Sequence, residues 1–186
     1  SVPKHPVRVY QGDGLGVFTA EIQFPSDNDV YFGETVLEWF TKGGFDRLIV
    51  IDGVVSNDLG IKEDSDLWGV SSTQMSRKQL DDAGIQQIQH GIVAGISGYL
   101  IAEGERRGLD VTALLAECNP MYPDARAALI AIEGLSELID REIPVQGLLD
   151  DARNIEERVR EAFERAQSMA LPPPDADDED DVPMVF

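Results

Sequence analysis

The sequence predicts an α/β fold: a three-layer α/β/α domain with a mainly parallel sheet, then a C-terminal helical hairpin and a disordered acidic tail. Three observations lead there. The apolar runs at 47–51 and 111–117 have strand length and suit strands covered on both faces by helices. Stretches with helical spacing alternate with those runs, the order that builds layered α/β domains. Beyond Pro123 the pattern shifts to long helical periodicity and then to proline and acid. The expected divisions are an α/β domain over 1–123, a coiled-coil-like appendage over 124–170 and a tail over 171–186.

Element by element, Val7–Tyr10 and Val17–Ile22 alternate as two strands of a hairpin, with Gln11–Gly16 as the turn cluster. The glycines at 12, 14 and 16 are not a phosphate loop, because no helix follows to supply amides and a dipole. Pro25–Asp29 reads as a loop and Glu34–Thr41 as a short helix with Val36, Leu37 and Phe40 on one face. Gly43 and Gly44 end it. The run Arg47–Ile51 is expected as a central strand that stops at Asp52-Gly53. Residues 54–68 read as a polar loop and Val70–Thr73 as a short strand. Ser76–Ala83 is a second helix closed by Gly84, Tyr99–Arg107 a third, and Val111–Glu117 a buried strand.

From Asp124 to Ile139, apolar residues at Ala125, Ala128, Leu129, Ile132, Leu135 and Ile139 have helical spacing. Pro144 breaks that helix. The next carries Leu148, Ala152, Ile155, Val159, Ala162, Ala166 and Met169, four and three apart, the seam of a coiled coil or helical hairpin. Some two dozen helical residues span about 36 Å, more than a small core needs, so part of this helix is expected to pack on a partner helix or a second protomer. Leu171-Pro172-Pro173-Pro174 opens the tail. Six of the seven residues from Asp175 to Asp181 are acidic, which leaves too little apolar surface to fold. An apolar tip, Val182-Pro183-Met184-Val185-Phe186, ends the tether. It is either an inert terminus or a docking peptide. If flexible, the last fifteen residues have an end-to-end distance on the order of 20 Å.

Composition narrows function. The chain has 186 residues, 15 Lys plus Arg against 35 Asp plus Glu, and a net charge of -20. That excludes the clustered cations that nucleic acid needs, and it disfavours anionic membrane surfaces. No apolar run approaches a membrane span, and Ser1–Pro6 lacks the apolar region of a secretory signal. The first residue is not Met, so the N-terminus is expected to be processed or missing. A single cysteine, Cys118, rules out internal disulfides and Cys clusters, and two histidines, His5 and His90, rule out a His-rich zinc site. A cytoplasmic protein without a cofactor or metal is expected. Acidity spread along the chain fits either a salt-loving source or a mesophilic protein with an acidic tail.

Catalytic residues are sparse. His90 precedes Ser97 by seven positions, but no acid is nominated to complete a triad and no G-x-S-x-G elbow is present. The segment Gly91–Gly98 precedes a helix; its amides could cradle an anion, or its glycines could let backbone pack closely. Asp58, Glu63, Asp64 and Asp66 form an acidic loop without EF-hand spacing. Glu117 ends a buried strand, a common place for an α/β active-site carboxylate, and it could equally hydrogen-bond a neighbouring loop. Cys118 beside it reads as a small buried apolar side chain.

The run Gly91-Ile92-Val93-Ala94-Gly95-Ile96-Ser97-Gly98-Tyr99-Leu100 resembles the glycine signature of the archaeal proteasome assembly chaperone family, the PAC-two type. Arg107-Gly108-Leu109, Ala113–Glu117 and Tyr122-Pro123-Asp124-Ala125-Arg126 follow in that family's order. Leu48–Gly53 and Leu67–Val70 are similar to its earlier strands. The family's opening strand and early glycine-rich loop have no counterpart, so the sequence starts late or the member is short. The resemblance makes Gly91, Gly95, Gly98, Glu117, Pro123 and Asp124 signature positions. It implies self-association, and proteasome α-subunits or the 20S core as partners; together with the sparse catalytic residues it leads to an expectation of no catalysis. In such binders a hydrophobic–tyrosine–any tripeptide enters pockets between α-subunits; Met184-Val185-Phe186 is a degenerate version. The expected function is a proteasome assembly chaperone or adaptor, with Leu148, Ala152, Ile155, Val159 and Ala162 as the oligomer seam. The alternative is a phosphorylase-like or hydrolase-like enzyme with Glu117, Ser97 and His90 near a glycine-lined cleft.

Overall fold

The computed structural model describes residues 5–22, 25–55, 66–119, 124–147, 149–150, 154, 157–158, 161–162 and 165. The apolar tip Met184-Val185-Phe186, the seam positions Leu148, Ala152, Ile155 and Val159, signature residue Pro123 and acids 58, 63 and 64 lie outside them.

A hairpin opens the chain. Strands β1 (Val7–Gly12) and β2 (Leu15–Ala20) pair antiparallel across Asp13-Gly14. Both turn residues have positive φ, 49° and 76°, the twist-matched two-residue turn that Asp-Gly favours. The turn is therefore tighter than the six-residue cluster expected from sequence. The hairpin is its own two-stranded sheet. It lies on helix α1 (Asp29–Lys42), where Phe18 meets Phe32 edge-on with ring centroids 5.5 Å apart.

The main sheet holds β3 (Leu48–Val55), β4 (Leu67–Ser71), β5 (Gln86–Gln87) and β6 (Val111–Cys118) in the order β3-β6-β4-β5. Pairs β3–β6 and β4–β5 are parallel, and β4–β6 is antiparallel. Helix α1 and helix α3 (Gly95–Arg107) cover one face, packing Val36, Leu37 and Leu100 against Val111 and, around them, Leu48 and Val50. Helices α2 (Gln74–Asp82) and α4 (Ala125–Ile139) cover the other, where Leu80 and Leu114 are fully buried with Ile49, Leu67, Leu135 and Leu138 around them. Fully burying one such leucine is worth about 1.5–3 kcal/mol. The three layers and the mainly parallel sheet are as the sequence predicts.

Several details differ. The central strand is β6, buried from Val111 to Ala116, whereas β3 lies at the end of the described sheet order with Ile51 and Val55 exposed. Asp52-Gly53 does not end β3, because pairing continues to Val55 opposite Cys118. Strand β4 starts at Leu67, inside the expected polar loop. Helix α1 starts at Asp29, after a short turn at Ser26–Asn28, and α3 starts at Gly95. Low helix propensity of glycine hides that first turn of α3 from a pattern search.

Helix α4 is part of the α/β core, although the sequence reading grouped it with an appendage. It buries Ala127, Ala131 and Gly134. The expected apolar face, Ala125, Ala128, Leu129 and Ile132, is only half-buried. Small residues win because they let the helix axis approach: a Cβ on Gly134 would lie 2.5 Å from Leu67 Cδ2. The helix ends on Asp140 in the left-handed conformation, four residues before Pro144. Among later residues Gln146, Gly147, Leu149, Asp150, Asn154, Glu157, Arg158, Glu161, Ala162 and Arg165 are helical, and Ala162 is exposed. No helix among the described residues is long and apolar enough to cross a membrane.

Candidate functional site

Chain order scatters the signature residues, yet the fold brings Gly95, Gly98, Glu117 and Asp124 to the carboxyl ends of β3 and β6. In open α/β sheets that end is where ligands and partners are met. Parallel pairing sets Asp52 opposite Leu115, Gly53 opposite Ala116 and Val54 opposite Glu117. Cys118 closes over Gly53, its Sγ 2.6 Å from where a Cβ would stand. Asp124 then turns the chain into α4. Its Oδ1 accepts from the amides of Arg126 (3.1 Å) and Ala127 (3.2 Å), and its Oδ2 accepts from Asn119 (3.0 Å). This is an N-cap that also ties down the strand's exit.

The glycine signature completes the site. Gly95 takes φ +70°, which permits the abrupt entry into α3. Loop 91–94 folds back over the first turn of that helix. A Cβ on Gly98 would lie 1.9 Å from the carbonyl oxygen of Val93, so only glycine fits. Close backbone approach is what Gly98 serves, and a left-handed φ is what Gly95 supplies. Two carboxylates already stand at this helix start: Asp29 Oδ2 is 4.0 Å from the Cβ position of Gly95, and Asp52 bonds Ser97. Gly91 and Ile92 are exposed on the loop, Ile92 at 94%.

Ser97 is buried and donates to Asp52 Oδ2 at 2.5 Å, while the Gly53 amide donates to Asp52 Oδ1 at 2.8 Å. Asp52 is the residue that sequence reasoning missed. It sits 45 positions from Ser97, and only the strand–helix packing joins them. The expected trio does not form a triad. His90 is exposed, the Ser97 hydroxyl is committed to a carboxylate, and the Glu117 amide donates to the carbonyl of Asp66 (2.8 Å), which fastens β6 to the start of β4. Burial, followed by the charges of Asp124, Asp52 and Glu117, pushes the Cys118 thiol above its usual range. A shift in that direction lowers the thiolate fraction, the form in which a cysteine is a nucleophile.

Beside this pair lies an open cavity of about 590 Å³. Phe18, Ala20 and Ile22 of the hairpin side and Phe32 of α1 form its apolar wall. Asp52, Gly95 and Ile96 form the rest.

Residues 1–162 match the model of the PAC2 family. The chain belongs to the PAC2 family. This PAC2 chain is similar in structure to PbaA of Pyrococcus furiosus, described as an archaeal homolog of proteasome-assembly chaperone. The TM-score is 0.78 and the identity 26%, over 89% of this chain and 69% of that one. It shares the fold of Pyrococcus furiosus PbaB, an archaeal proteasome activator, with TM-score 0.68 and 19% identity over 80% of this chain and 64% of that one. An uncharacterized protein of Methanocaldococcus jannaschii is 20% identical over 168 residues, covering 90% of this chain and 68% of that protein.

Proposed function

We propose that this PAC2-family protein is a proteasome assembly chaperone or proteasome-binding adaptor. It acts in the cytoplasm by protein–protein contact, as a homo-oligomer and without a cofactor, on proteasome α-subunits or the 20S core. The observation that carries this reading is the likeness to PbaA, which spans nearly the whole chain and rises above fold similarity in identity. The glycine signature supports it as well. Gly98 serves close packing, and the loop before it is exposed at Gly91 and Ile92, which suits a surface for polypeptides better than a cradle for phosphate.

In this proposal the folded body self-associates through the helix beyond Pro144, with Leu148, Ala152, Ile155, Val159 and Ala162 at the seam. The acidic tether presents Met184-Val185-Phe186 to pockets between α-subunits. Several tails on one oligomer raise avidity without new contacts. Capture of archaeal α-subunits by the full chain and by a chain lacking residues 182–186 tests this. Strong capture that weakens on truncation is expected. Negligible capture by both overturns the partner, and equal strong capture overturns the role of the tip.

A second reading, an enzyme of phosphorylase or hydrolase type, has one observation in its favour, the Ser97–Asp52 pair at the carboxyl end of the sheet. The chemistry counts against it. A nucleophilic serine needs access and a base that takes its proton. Ser97 is 3% exposed and its proton is held by Asp52, with no imidazole between them.

A further inference from the structure

We infer that the cavity between the hairpin and the start of α3 receives a lysine side chain from a partner polypeptide. Among the described residues Asp52 is the single charged side chain in its lining; the other side chains there are apolar, among them Phe18, Phe32, Ile22 and Ile96. An aliphatic stem against such walls, with a cationic head beside a carboxylate and aromatic rings, is the chemistry of ammonium recognition. The Phe18 and Phe32 rings are in edge-to-face contact, so both are fixed in place.

The electrostatic sign is settled by magnitude. The start of α3 at Gly95 contributes about half a positive charge. Asp29 beside Gly95 and Asp52 in the wall each contribute a full negative charge. The carboxylates win, and the chain's net charge of -20 adds to the pull on a cation. A second copy of so acidic a chain is correspondingly disfavoured as the occupant. After the internal hydrogen bonds from Gly53 and Ser97, each oxygen of Asp52 keeps one lone pair, and lysine is preferred to arginine because it needs only one of them to face the cavity. A guanidinium fork needs both oxygens at once, whereas an ammonium is a point charge satisfied by one remaining lone pair.

This inference rests on the reading of the protein as a binder of polypeptides, but its test contains no proteasome subunit, so its failure leaves the capture experiment untouched. The full chain, labelled with nitrogen-15, is titrated at fixed ionic strength with the N-acetyl methylamides of lysine, norleucine and arginine. The lysine probe is expected to shift the amides of Asp52, Gly53 and Gly95 saturably, with an apparent affinity at least tenfold above that of either other probe. No response, or a norleucine or arginine response equal to that of lysine, overturns the inference. In Asp52→Asn the lysine response is expected to vanish; an unchanged response in a variant whose spectrum stays dispersed also overturns it. If that variant does not fold, the three-probe comparison on the unaltered chain decides alone.

Discussion

The carbonyl oxygen of Val93 lies where a side chain on Gly98 would begin, 1.9 Å from its Cβ position. The atom in the way is backbone, so no rotamer change relieves the clash. Gly98→Ala must push loop 91–94 off the first turn of α3. Overpacking of this kind costs about 1–3 kcal/mol, and for a chain of this size each kcal/mol lowers Tm by about 2–4 °C. The expected outcome is a Tm fall of roughly 2–12 °C by calorimetry, with increased amide exchange at Ile92, Val93 and Ala94. Unchanged values for both would contradict the geometry.

Ser97→Ala removes the donor to Asp52 while filling nearly the same space. Asp52 is itself exposed, so water replaces part of the lost bond. The expected loss is about 1 kcal/mol, seen in urea as a lower midpoint with an unchanged slope. A larger loss with a changed slope would mean that the hydroxyl organises more than the Asp52 carboxylate.

A surface clamp joins α1 to α3 and makes stability depend on pH. Tyr99 donates to Glu34 Oε1 at 2.6 Å, and Arg107 bonds both Glu34 and Glu103. The Arg106 guanidinium beside Glu103, opposed by partial desolvation and aided by Arg107, holds its carboxyl down at about 2. The Tyr99 hydroxyl and then Arg107 lower Glu34 as well. A carboxyl held below its unfolded value stabilises the fold above that value and loses the contribution as pH falls to the folded one. For Glu103 the window runs from 4.5 down to about 2. Protonation also relieves repulsion in so acidic a chain, so the comparison must be with Glu103→Gln. Tm of the unaltered protein is expected to fall more steeply than that of the variant across this window. Parallel curves would remove Glu103 from the account.

At the opposite end of the sheet, Asp110 accepts from Ser76 Oγ (2.6 Å) and Thr73 Oγ1 (3.3 Å) on one oxygen and from Arg47 Nε (3.3 Å) on the other. Arg47 also donates to the carbonyl of Leu138 (3.2 Å), which links β3 to the last turn of α4. Asp110→Ala removes one partner of Arg47, which keeps Leu138 and Gln79, and takes the acceptor from the Ser76 and Thr73 hydroxyls, so about 1–3 kcal/mol of stability should be lost. Arg47→Ala in the same background should add less than it costs alone, because the two residues share one network. Full additivity in a double-mutant cycle would contradict the coupling.

Local chemistry made much of this architecture legible. The alternating strands of the hairpin, the apolar run of β6, and the helical spacing from Asp124 to Ile139 are visible because side-chain period is a local property. What could not be read depends on distant partners. Whether β3 or β6 is central is decided by strand order, and both runs look equally apolar. Residue pattern favoured the larger apolar face of α4, yet the stripe Ala127, Ala131 and Gly134 is buried because close approach to Leu67 and Ala116 rewards small side chains. The bond between Ser97 and Asp52 has no sequence signal, since neither residue's spacing refers to the other. The signature glycines were visible as a motif, but their cause, the Val93 carbonyl lying over Gly98, is a tertiary contact.

The central claim is that this protein holds other polypeptides. Light scattering of the protein mixed with archaeal proteasome α-subunits, at low and at high salt, tests it most directly. The account predicts a species heavier than either component alone, formed from an oligomer of this chain. Two independent peaks at both salt concentrations, with this chain running as a monomer, would contradict it.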